Sequence, residues 1–546
     1  MVDLYIPKNK NDLWCDWRLF LCVVIMASLA LVRELVFFPV PDFIPNPDSA
    51  WLIYAAQLVA DGQKLYVDIM ESNPPLIIWI SMPAVWLGKL LNMQPILIFD
   101  MLVTLLSAIS ITLVARIIRS HGFFADKTSY GVVLLYISCG FFLMTPAIYG
   151  QREVLFIAMV LPYLFLSLAP IALSARSIAI ILMAAVGFAL KPFFLLLWVM
   201  NELKTAIERR KATALFSWHN WLIGMAQIAY IFAIYYFTPE YFSDLLPALL
   251  VTYFSFAYPW ESLWQPIAKV AVASLAVAWL AKLGGEYKVF TGRALIWLAA
   301  CAGLILMQRK DWINHLYPMV FMAGLVISVS LVFLFRELKI RKMEMGNRRF
   351  AALCIALALL VQGAYLGSSF THNILTKPAQ MSIKLMAEIE KKAAGKYVYP
   401  LMNGINPSFP SISLTRGIFH GGFAHLWPLM GIVIRQQQGD NSPEFIKAKK
   451  WFFDTLVRDF TNYPPELVWV NDNVNMGIIS TYFIEPENRD FINVLSRDER
   501  FARIWQNYEK YAEIEIQSDP AEIKGESEEE KLKKPERISL YIRKAN

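Results

Sequence analysis

The chain has 546 residues, of which 57% are hydrophobic and only 17% are charged, whereas about 25% of residues are charged in a typical soluble domain. This composition excludes an ordinary soluble protein and indicates an integral membrane protein. The net charge of +7 arises from Lys and Arg residues in short loops between apolar runs, a pattern that reports membrane orientation and excludes a nucleic-acid-binding surface. The five cysteines show no metal-type spacing, so we expect neither a zinc site nor a disulfide framework.

The first apolar run, residues 19–38, has the length of a helix that crosses the hydrocarbon core, and no small-residue cleavage site follows it. We therefore predict an uncleaved membrane span. The positive-inside rule places the basic loops in the cytoplasm, and the densest of them lies between Arg336 and Arg349. On this topology, residues 39–75 form an outer loop.

Two apolar runs do not fit this topology as simple spans. For residues 76–91 we predict a helix that lies at or dips into the outer interface, anchored by Trp79 and Trp86. For the run that contains "GFALKP", residues 187–192, we predict two half-helices. Such breaks are tolerated at membrane depth where they line a cavity, and Lys191 is expected to line this one.

After the last predicted span, residues 350–366, no run is long or apolar enough to cross again. We therefore predict a transmembrane domain over residues 1–370 and a soluble periplasmic α/β domain over residues 371–546. In the second domain, strand-like "KYVYPL" (396–401) and "ELVWVND" (466–472) alternate with the helix-like segment 443–460. The lack of cysteine after residue 371 fits a bacterial periplasm. The expected fold class is an α-helical polytopic membrane protein with a C-terminal α/β domain.

The outer loop carries the most distinctive motif. A predicted amphipathic helix, "PDSAWLIYAAQLVADG", leads into Gly-x-x-Leu-Tyr-x-Asp-x-x-Glu-x-x-Pro-Pro-Leu, which ends at Leu76. Four acidic residues crowd this short connection: Asp48, Asp61, Asp68 and Glu71.

A first span followed by this acidic loop and its double proline resembles the GT-C superfamily of glycosyltransferases, which use polyprenyl-phosphate-sugar donors. The nearest group is glycosyltransferase family 39, including protein O-mannosyltransferases and lipid A aminoarabinose transferases. The resemblance covers about two thirds of the chain in architecture; its specific motifs lie in residues 48–76, with weaker matches at 151–153, 191–192 and 308–318. It implies a GT-C-like transmembrane bundle with outer-face juxtamembrane helices.

The resemblance implies that Asp48 is the catalytic base, which takes the proton of the acceptor hydroxyl as the sugar leaves its phosphate. The alternative is that Asp48 only caps a helix beginning at Ser49, as Asp does well. Glu71 matches the acidic residue that precedes the family's double proline, and we assign it to positioning. Asn73 replaces the family's phosphate-binding lysine, so it can donate a hydrogen bond but supplies no charge. Ser49 replaces the second acidic residue of the mannosyltransferases, which leaves the sugar open.

Because Asn73 supplies no positive charge, other residues must neutralise the phosphate of the donor. Arg152 and Glu153 lie directly against apolar runs, where a charge pair is a functional-site hypothesis by default. The resemblance assigns Glu153 to orienting the acceptor or donor and Arg152 to the phosphate, and the alternative is an interfacial ion pair.

The segment "QRKDWINHLYP" holds Arg309 and Lys310, where the family's later outer-loop cations meet the lipid phosphate. With Trp312 and His315 beside them, these cations suit a phosphate and a sugar ring. Snorkelling of the two side chains at the bilayer edge is the alternative.

The sequence thus predicts an inverting glycosyltransferase that moves a sugar from a polyprenyl-phosphate donor to a hydroxyl of a glycan, glycolipid or protein, on the outer face of a bacterial inner membrane. The expected partners are this lipid donor, the acceptor and the bilayer, and no cofactor or metal is indicated. The catalytic candidates are Asp48, Glu71 and Glu153, and the binding candidates are Asn73, Arg152, Lys191, Arg309, Lys310 and His315. Two other classes stay open: a transporter or flippase of lipid-linked sugars, and a non-catalytic scaffold with a periplasmic binding domain. The concentration of acidic residues in outer loops rather than within spans favours the transferase.

Overall fold

The computed structural model describes residues 46–121, 127–142, 148–255, 260–281, 288–310, 312–340, 378–471, 490–516 and 536–544. The predicted spans at 19–38 and 350–366 and the predicted domain boundary at residue 370 lie outside these ranges. The chain forms two compact units. We call the first the helical unit; it takes in the described parts of Phe99–Phe232 and Tyr258–His372. The second, which we call the mixed unit, takes in those of Phe37–Ile98, Ala233–Ala257 and Asn373–Asn546.

Long apolar helices build the helical unit, two of which also extend into the residues of the mixed unit. These helices are Pro95–Ser120, Lys127–Phe142, Arg152–Leu166, Ala175–Ala189, Leu195–Arg209, Trp218–Phe237, Trp260–Ala281, Lys288–Gln308 and Ile313–Ile340. Within the described ranges, four helices have a stretch long and apolar enough to cross a membrane. The protein is therefore a polytopic α-helical membrane protein, as its composition predicts.

The centre of the helical unit is the helix Arg152–Leu166, in which every residue is buried. Such burial is expected of a helix that is apolar almost all round. It packs against the helix Ala175–Ala189, and Gly187 lies at the contact. A Cβ at this position would come within 2.9 Å of Met159 Cβ and Val160 Cγ2. The two helices can approach this closely because residue 187 has no side chain.

The predicted break at "GFALKP" is confirmed. The helix Ala175–Ala189 ends there, a 3₁₀ turn spans Pro192–Phe194, and a second helix covers Leu195–Arg209. Pro192 lacks the N–H that a continuous helix would need, and Phe194 stacks on Phe156 with ring centroids 3.9 Å apart. Lys191 consequently lies on non-helical backbone between two helices, and its side chain is buried.

In the mixed unit, the helix Leu76–Leu91 has the predicted bounds. The preceding helix, Pro47–Ala60, is not amphipathic as predicted, because none of its residues is exposed. It packs against Leu76–Leu91 and the short helix Ser408–Ser411. Its few polar residues leave too little polar surface for a solvated face.

The C-terminal part of the mixed unit is α/β, as predicted. Its further helices are Pro378–Lys392, Trp427–Gln437, Pro443–Asn462, Phe491–Leu495 and Glu499–Trp505. Its strands are β1 (Val398–Leu401), β2 (Leu467–Asn471), β3 (Tyr508–Ile516) and β4 (Glu536–Arg543). The helix Leu246–Thr252 belongs to the middle segment of the mixed unit, Ala233–Ala257.

The four strands form one mixed sheet in the order β1-β2-β4-β3. β1 and β2 are parallel, with Val398 opposite Leu467, and the other two pairs are antiparallel. Both parallel strands match predicted strands, and the predicted helix between them is Pro443–Asn462. Their continuous apolar sequences suit strands that are buried on both faces.

Candidate functional site

The acidic residues of the predicted outer loop, residues 39–75, have different surroundings. Asp61 forms a surface ion pair with Lys89 at 2.7 Å. Asp68 Oδ2 accepts a hydrogen bond from the backbone N–H of Lys64 at 2.9 Å, which closes the turn between them. These two carboxylates therefore stabilise the loop itself.

Glu71 is buried, with 4% of its surface exposed. Its Oε2 accepts a hydrogen bond from Trp51 Nε1 at 2.5 Å, and its Oε1 accepts from the backbone N–H of Asn73 at 2.9 Å, from Asn73 Nδ2 and from Ser72 Oγ. All four donors are neutral. The carboxylate is thus fixed in direction by hydrogen bonds, and the Asn73 amide, predicted to bind substrate, is engaged with Glu71. The phosphate role of Asn73 stays a prediction.

Tyr66 holds the backbone on both sides of Glu71 through hydrogen bonds to Ile69 and Asn73. Its φ of 68° lies in the left-handed region that a bulky residue rarely adopts. Its N–H donates to Ile69 O at 2.8 Å and its hydroxyl donates to Asn73 O at 2.6 Å. Neither Tyr66 nor Trp51 was predicted as a site residue. The available signal was weak: a Trp in an apolar helix needs a partner for its N–H once it is buried.

Asp48 lies in the first turn of the helix Pro47–Ala60 and is partly exposed. The N-cap of this helix is Asn46, whose Oδ1 accepts from the backbone N–H of Ser49 at 3.0 Å. The alternative in which Asp48 caps a helix beginning at Ser49 is therefore wrong. The helix begins two residues earlier because proline suits the first helical position. A carboxylate inside the first turn is favoured by the helix dipole.

The helical unit brings together five predicted residues and Gln308, a set that we call the cationic cluster: Arg152, Glu153, Lys191, Gln308, Lys310 and His315. Glu153 Oε1 accepts from Lys191 Nζ at 2.5 Å, and Glu153 is completely buried. The amine of Lys191 also lies 3.3 Å from Gln308 Oε1 and 3.4 Å from His315 Nε2. The helix break after Ala189 places Lys191 in the cluster. Gln308 was not predicted.

Of the six described residues that define the cationic cluster, three are basic and one is acidic. Within the described residues, the buried Arg152 and Lys191 lie near the carboxylate of Glu153, and the buried Lys310 lies near Lys191. In the part of the chain that the structure describes, Arg152 Nε and Nη1 have no hydrogen-bond acceptor and Glu153 Oε2 has no donor. Buried cations without enough counter-charge are costly, so this arrangement can bind an anion. Among the described residues, no group of three or more His, Cys, Asp or Glu could hold a metal ion.

Arg309 and Lys310 have different surroundings although they are adjacent. Arg309 follows the end of the helix Lys288–Gln308, and its guanidinium lies 4.6 Å from the centre of the Trp260 ring. Lys310 is buried, with its amine 4.9 Å from the centre of the Trp312 ring, and it is repelled by Lys191. Lys310 therefore belongs to the cationic cluster, whereas Arg309 stacks on an exposed tryptophan.

A further buried network in the helical unit was not predicted. The carboxylate of Glu202 accepts from Tyr163 at 2.6 Å and from Asn201 and Asn220 at 2.9 Å, and it lies 3.3 Å from His219 Nε2. These groups come from three helices. The network satisfies Glu202 with several donors, which suits a contact that locks helices together. A Glu within an apolar helix was the available signal in the sequence.

The fold has a counterpart among solved structures. The chain is similar to the crystal structure of ArnT from Cupriavidus metallidurans bound to undecaprenyl phosphate, with a TM-score of 0.51 and 12% sequence identity over 96% of this chain and 98% of that one. The two chains share a fold. No family model matches the sequence, and no curated protein matches it significantly. The similarity to ArnT supports the GT-C resemblance at the level of the fold, and the narrower resemblance to family 39 stays a prediction.

Proposed function

We propose that this protein is a membrane glycosyltransferase that moves a sugar from a polyprenyl-phosphate donor to a hydroxyl acceptor. The observation that carries the proposal is the buried cationic cluster, whose six described residues include three basic side chains and one acidic side chain. Two Arg152 nitrogens there have no acceptor among the described residues. A lipid-linked phosphate is an anion that can reach such a site from the bilayer. The ArnT structure that shares this fold is bound to undecaprenyl phosphate.

Within the cluster, Arg152 and Lys310 are the residues that bind the donor phosphate in this proposal. Lys191 already neutralises Glu153 through their direct ion pair. That pair holds the amine and the carboxylate in fixed positions, from which His315 and Gln308 can orient the sugar. Arginine suits the phosphate because its planar guanidinium donates two parallel hydrogen bonds to phosphate oxygens.

The reaction follows from inverting chemistry. Asp48 accepts the proton of the acceptor hydroxyl, whose oxygen forms the new glycosidic bond to the anomeric carbon. The bond from that carbon to the phosphate oxygen breaks, and the electron pair leaves with the polyprenyl phosphate. Glu71 serves as a positioning residue, because its oxygens are engaged by Trp51 and Asn73.

A test of this mechanism compares Asp48→Asn with Asn46→Ala. Removing the general base should lower turnover on the order of a hundredfold or more, with donor binding preserved. Asn46→Ala removes the cap of the same helix, so it should cost about 1 kcal/mol of stability and leave turnover near the wild-type value. Glu71→Gln should lower turnover less than Asp48→Asn does.

The measurement is sugar transfer from a purified polyprenyl-phosphate sugar by folded protein, scored beside its thermal unfolding. A fully active Asp48→Asn protein would refute the role of Asp48 as base. A flippase would bind the donor and move it without transfer, so donor binding without any product in wild-type protein would favour that alternative.

The proposal places the protein in a bacterial inner membrane with the C-terminal α/β domain in the periplasm, on the basis of the Lys and Arg distribution. Protease added to spheroplasts should then trim this domain. Protection of the domain in intact spheroplasts, with cleavage after lysis, would contradict the orientation.

A further inference from the structure

The segment Val67–Glu71 of the outer loop is held by the C-terminal part of the mixed unit. The backbone N–H of Met70 donates to Gly422 O at 2.8 Å, and Trp427 Nε1 donates to Met70 O at 3.1 Å. Arg458 Nη1 donates to Val67 O. Three hydrogen bonds thus fix the backbone directly before Glu71.

Asp459 bonds both Gly422 and Arg458, which make two of these three hydrogen bonds. Its side chain is 1% exposed. Its Oδ2 accepts from the backbone N–H of Gly422 at 2.6 Å and from the Tyr399 hydroxyl at 3.0 Å, while its Oδ1 accepts from Arg458 Nη2 at 2.9 Å. One carboxylate therefore fixes both Gly422, which holds Met70, and Arg458, which holds Val67.

The fit between the loop and the domain is close. A Cβ on Gly422 would lie 3.2 Å from Met70 Cγ and 2.8 Å from Thr455 Cγ2. Asp459 is buried, but the Arg458 side chain is 33% exposed, and a partly exposed ion pair contributes little net stability. The pair nevertheless fixes the direction of the groups that it bonds. The Arg458–Asp459 pair is thus suited to setting geometry.

We propose that Arg458 and Asp459 are positioning residues that hold the Val67–Glu71 segment, and with it the Glu71 carboxylate, in the geometry required for sugar transfer. The inference rests on the proposed function. It makes the C-terminal domain a part of the transfer machinery, since a helix of this domain supports the loop that carries Glu71.

The key variant is Arg458→Lys. A lysine keeps the charge and can pair with Asp459, but it cannot bond Asp459 in a fork and reach Val67 O at the same time. The matched control is Asp454→Asn on the same helix. Asp454 also pairs with an arginine, Arg500, at 2.7 Å, but on the exposed surface.

Two quantities are measured on full-length protein in detergent: amide hydrogen exchange of the peptide spanning residues 64–73, and kcat and KM for the donor. Loss of the bond from a charged donor to Val67 O should speed exchange in this peptide by about tenfold. Misplacement of Glu71 should lower kcat by about tenfold while KM for the donor changes less than kcat does. Asp454→Asn should change neither. If Arg458→Lys does not fold, Tyr399→Phe, which removes one donor to Asp459 Oδ2, takes its place.

Unchanged exchange, or faster exchange with unchanged kcat, would overturn the positioning role. An equal effect of Asp454→Asn would overturn it as well, because the effect would then reflect general destabilisation. A wild-type protein without transfer activity overturns the proposed function instead, and the exchange difference between the two variants still decides whether Arg458 holds the loop. The two failures are therefore distinguishable.

Discussion

Two buried carboxylates in this protein, Glu71 and Glu153, are stabilised in opposite ways. Glu71 in the mixed unit accepts hydrogen bonds from neutral donors, two of them from Asn73 and one from Trp51. Glu153 in the helical unit accepts from the ammonium group of Lys191 and lies near further cations. Neutral donors fix a carboxylate in direction, whereas cations supply charge that a second anion can also use. The first arrangement suits positioning and the second suits binding a phosphate.

The surroundings of Glu71 and Glu153 also differ in their effect on the stability of the protein. A charge within an apolar helical bundle is expensive and is typically retained for function. The neutral hydrogen bonds around Glu71 are worth about 1 kcal/mol each, and their value lies in the geometry that they set. Substitutions should therefore affect the two sites differently.

The largest expected effect on stability is that of Glu153→Gln. It removes the carboxylate that faces Lys191, His315 and Arg152, and breaking such a buried pair should cost about 3–5 kcal/mol. Lys191→Met should cost less, because Arg152 still acts on Glu153. The matched substitution Glu71→Gln should cost about 1–3 kcal/mol, since an amide would face an N–H donor but no charge is left unpaired.

Thermal unfolding of the purified variants in one detergent measures all three. Equal losses for Glu153→Gln and Glu71→Gln would contradict the distinction between charge and neutral hydrogen bonds.

The second effect concerns donor affinity. Arg152→Gln and Lys310→Gln should each weaken binding of a polyprenyl phosphate by about tenfold, because a charge-assisted hydrogen bond to phosphate is lost. Arg309→Gln should weaken it less, since this side chain stacks on Trp260. Lys89→Gln, which breaks only the surface pair with Asp61, is the control. Binding is measured by titration of folded protein, and unchanged affinity in all three variants would show that other cations bind the phosphate.

The smallest expected effect is a dependence of stability on pH that arises from Asp459. This carboxylate accepts hydrogen bonds from neutral donors, as Glu71 does, and from a cation, as Glu153 does. Burial raises the pKa of Asp459 from its usual 3.8 to about 6, although Arg458 and the hydrogen bonds from Gly422 and Tyr399 oppose the shift. The carboxyl group of Asp459 therefore stays protonated to a higher pH in the folded protein than in the unfolded chain. The resulting stabilisation is complete below about pH 4 and is lost as the pH rises through 6.

Between pH 5 and pH 7, the unfolding free energy of the wild type should fall by about 1 kcal/mol more than that of Asp459→Asn. Unfolding curves of both proteins at the two pH values provide the measurement. Parallel pH dependence in the two proteins would contradict the raised pKa.

The sequence predicted those features that depend on local patterns. The length and apolar character of residues 76–91 predicted that helix, and Pro192 predicted the break beside Lys191. The alternation of strand-like and helix-like segments predicted β1, β2 and the helix between them. In each case the deciding signal lies within a few residues of the element.

Other features depend on contacts that sequence order does not reveal. The cap at Asn46 was missed because Asp48 is also a good cap, and only the start of the helix at Pro47 decides between them. The amphipathic helix was a wrong prediction because its burial depends on packing partners elsewhere in the chain, such as Ser408–Ser411. The hydrogen bond from Arg458 to Val67 O joins residues 391 positions apart, and no local pattern indicates such a pairing.

Gly187 links apolar packing to the electrostatics of the cationic cluster. Its missing side chain lets the helix Ala175–Ala189 approach the backbone that carries Glu153, and Lys191 follows four residues later. Any larger residue at 187 would push against Met159 and Val160 and so shift the backbone from which the lysine extends. An ion pair of 2.5 Å tolerates little such movement. The packing beside this charged contact thus depends on a residue that has no side chain of its own.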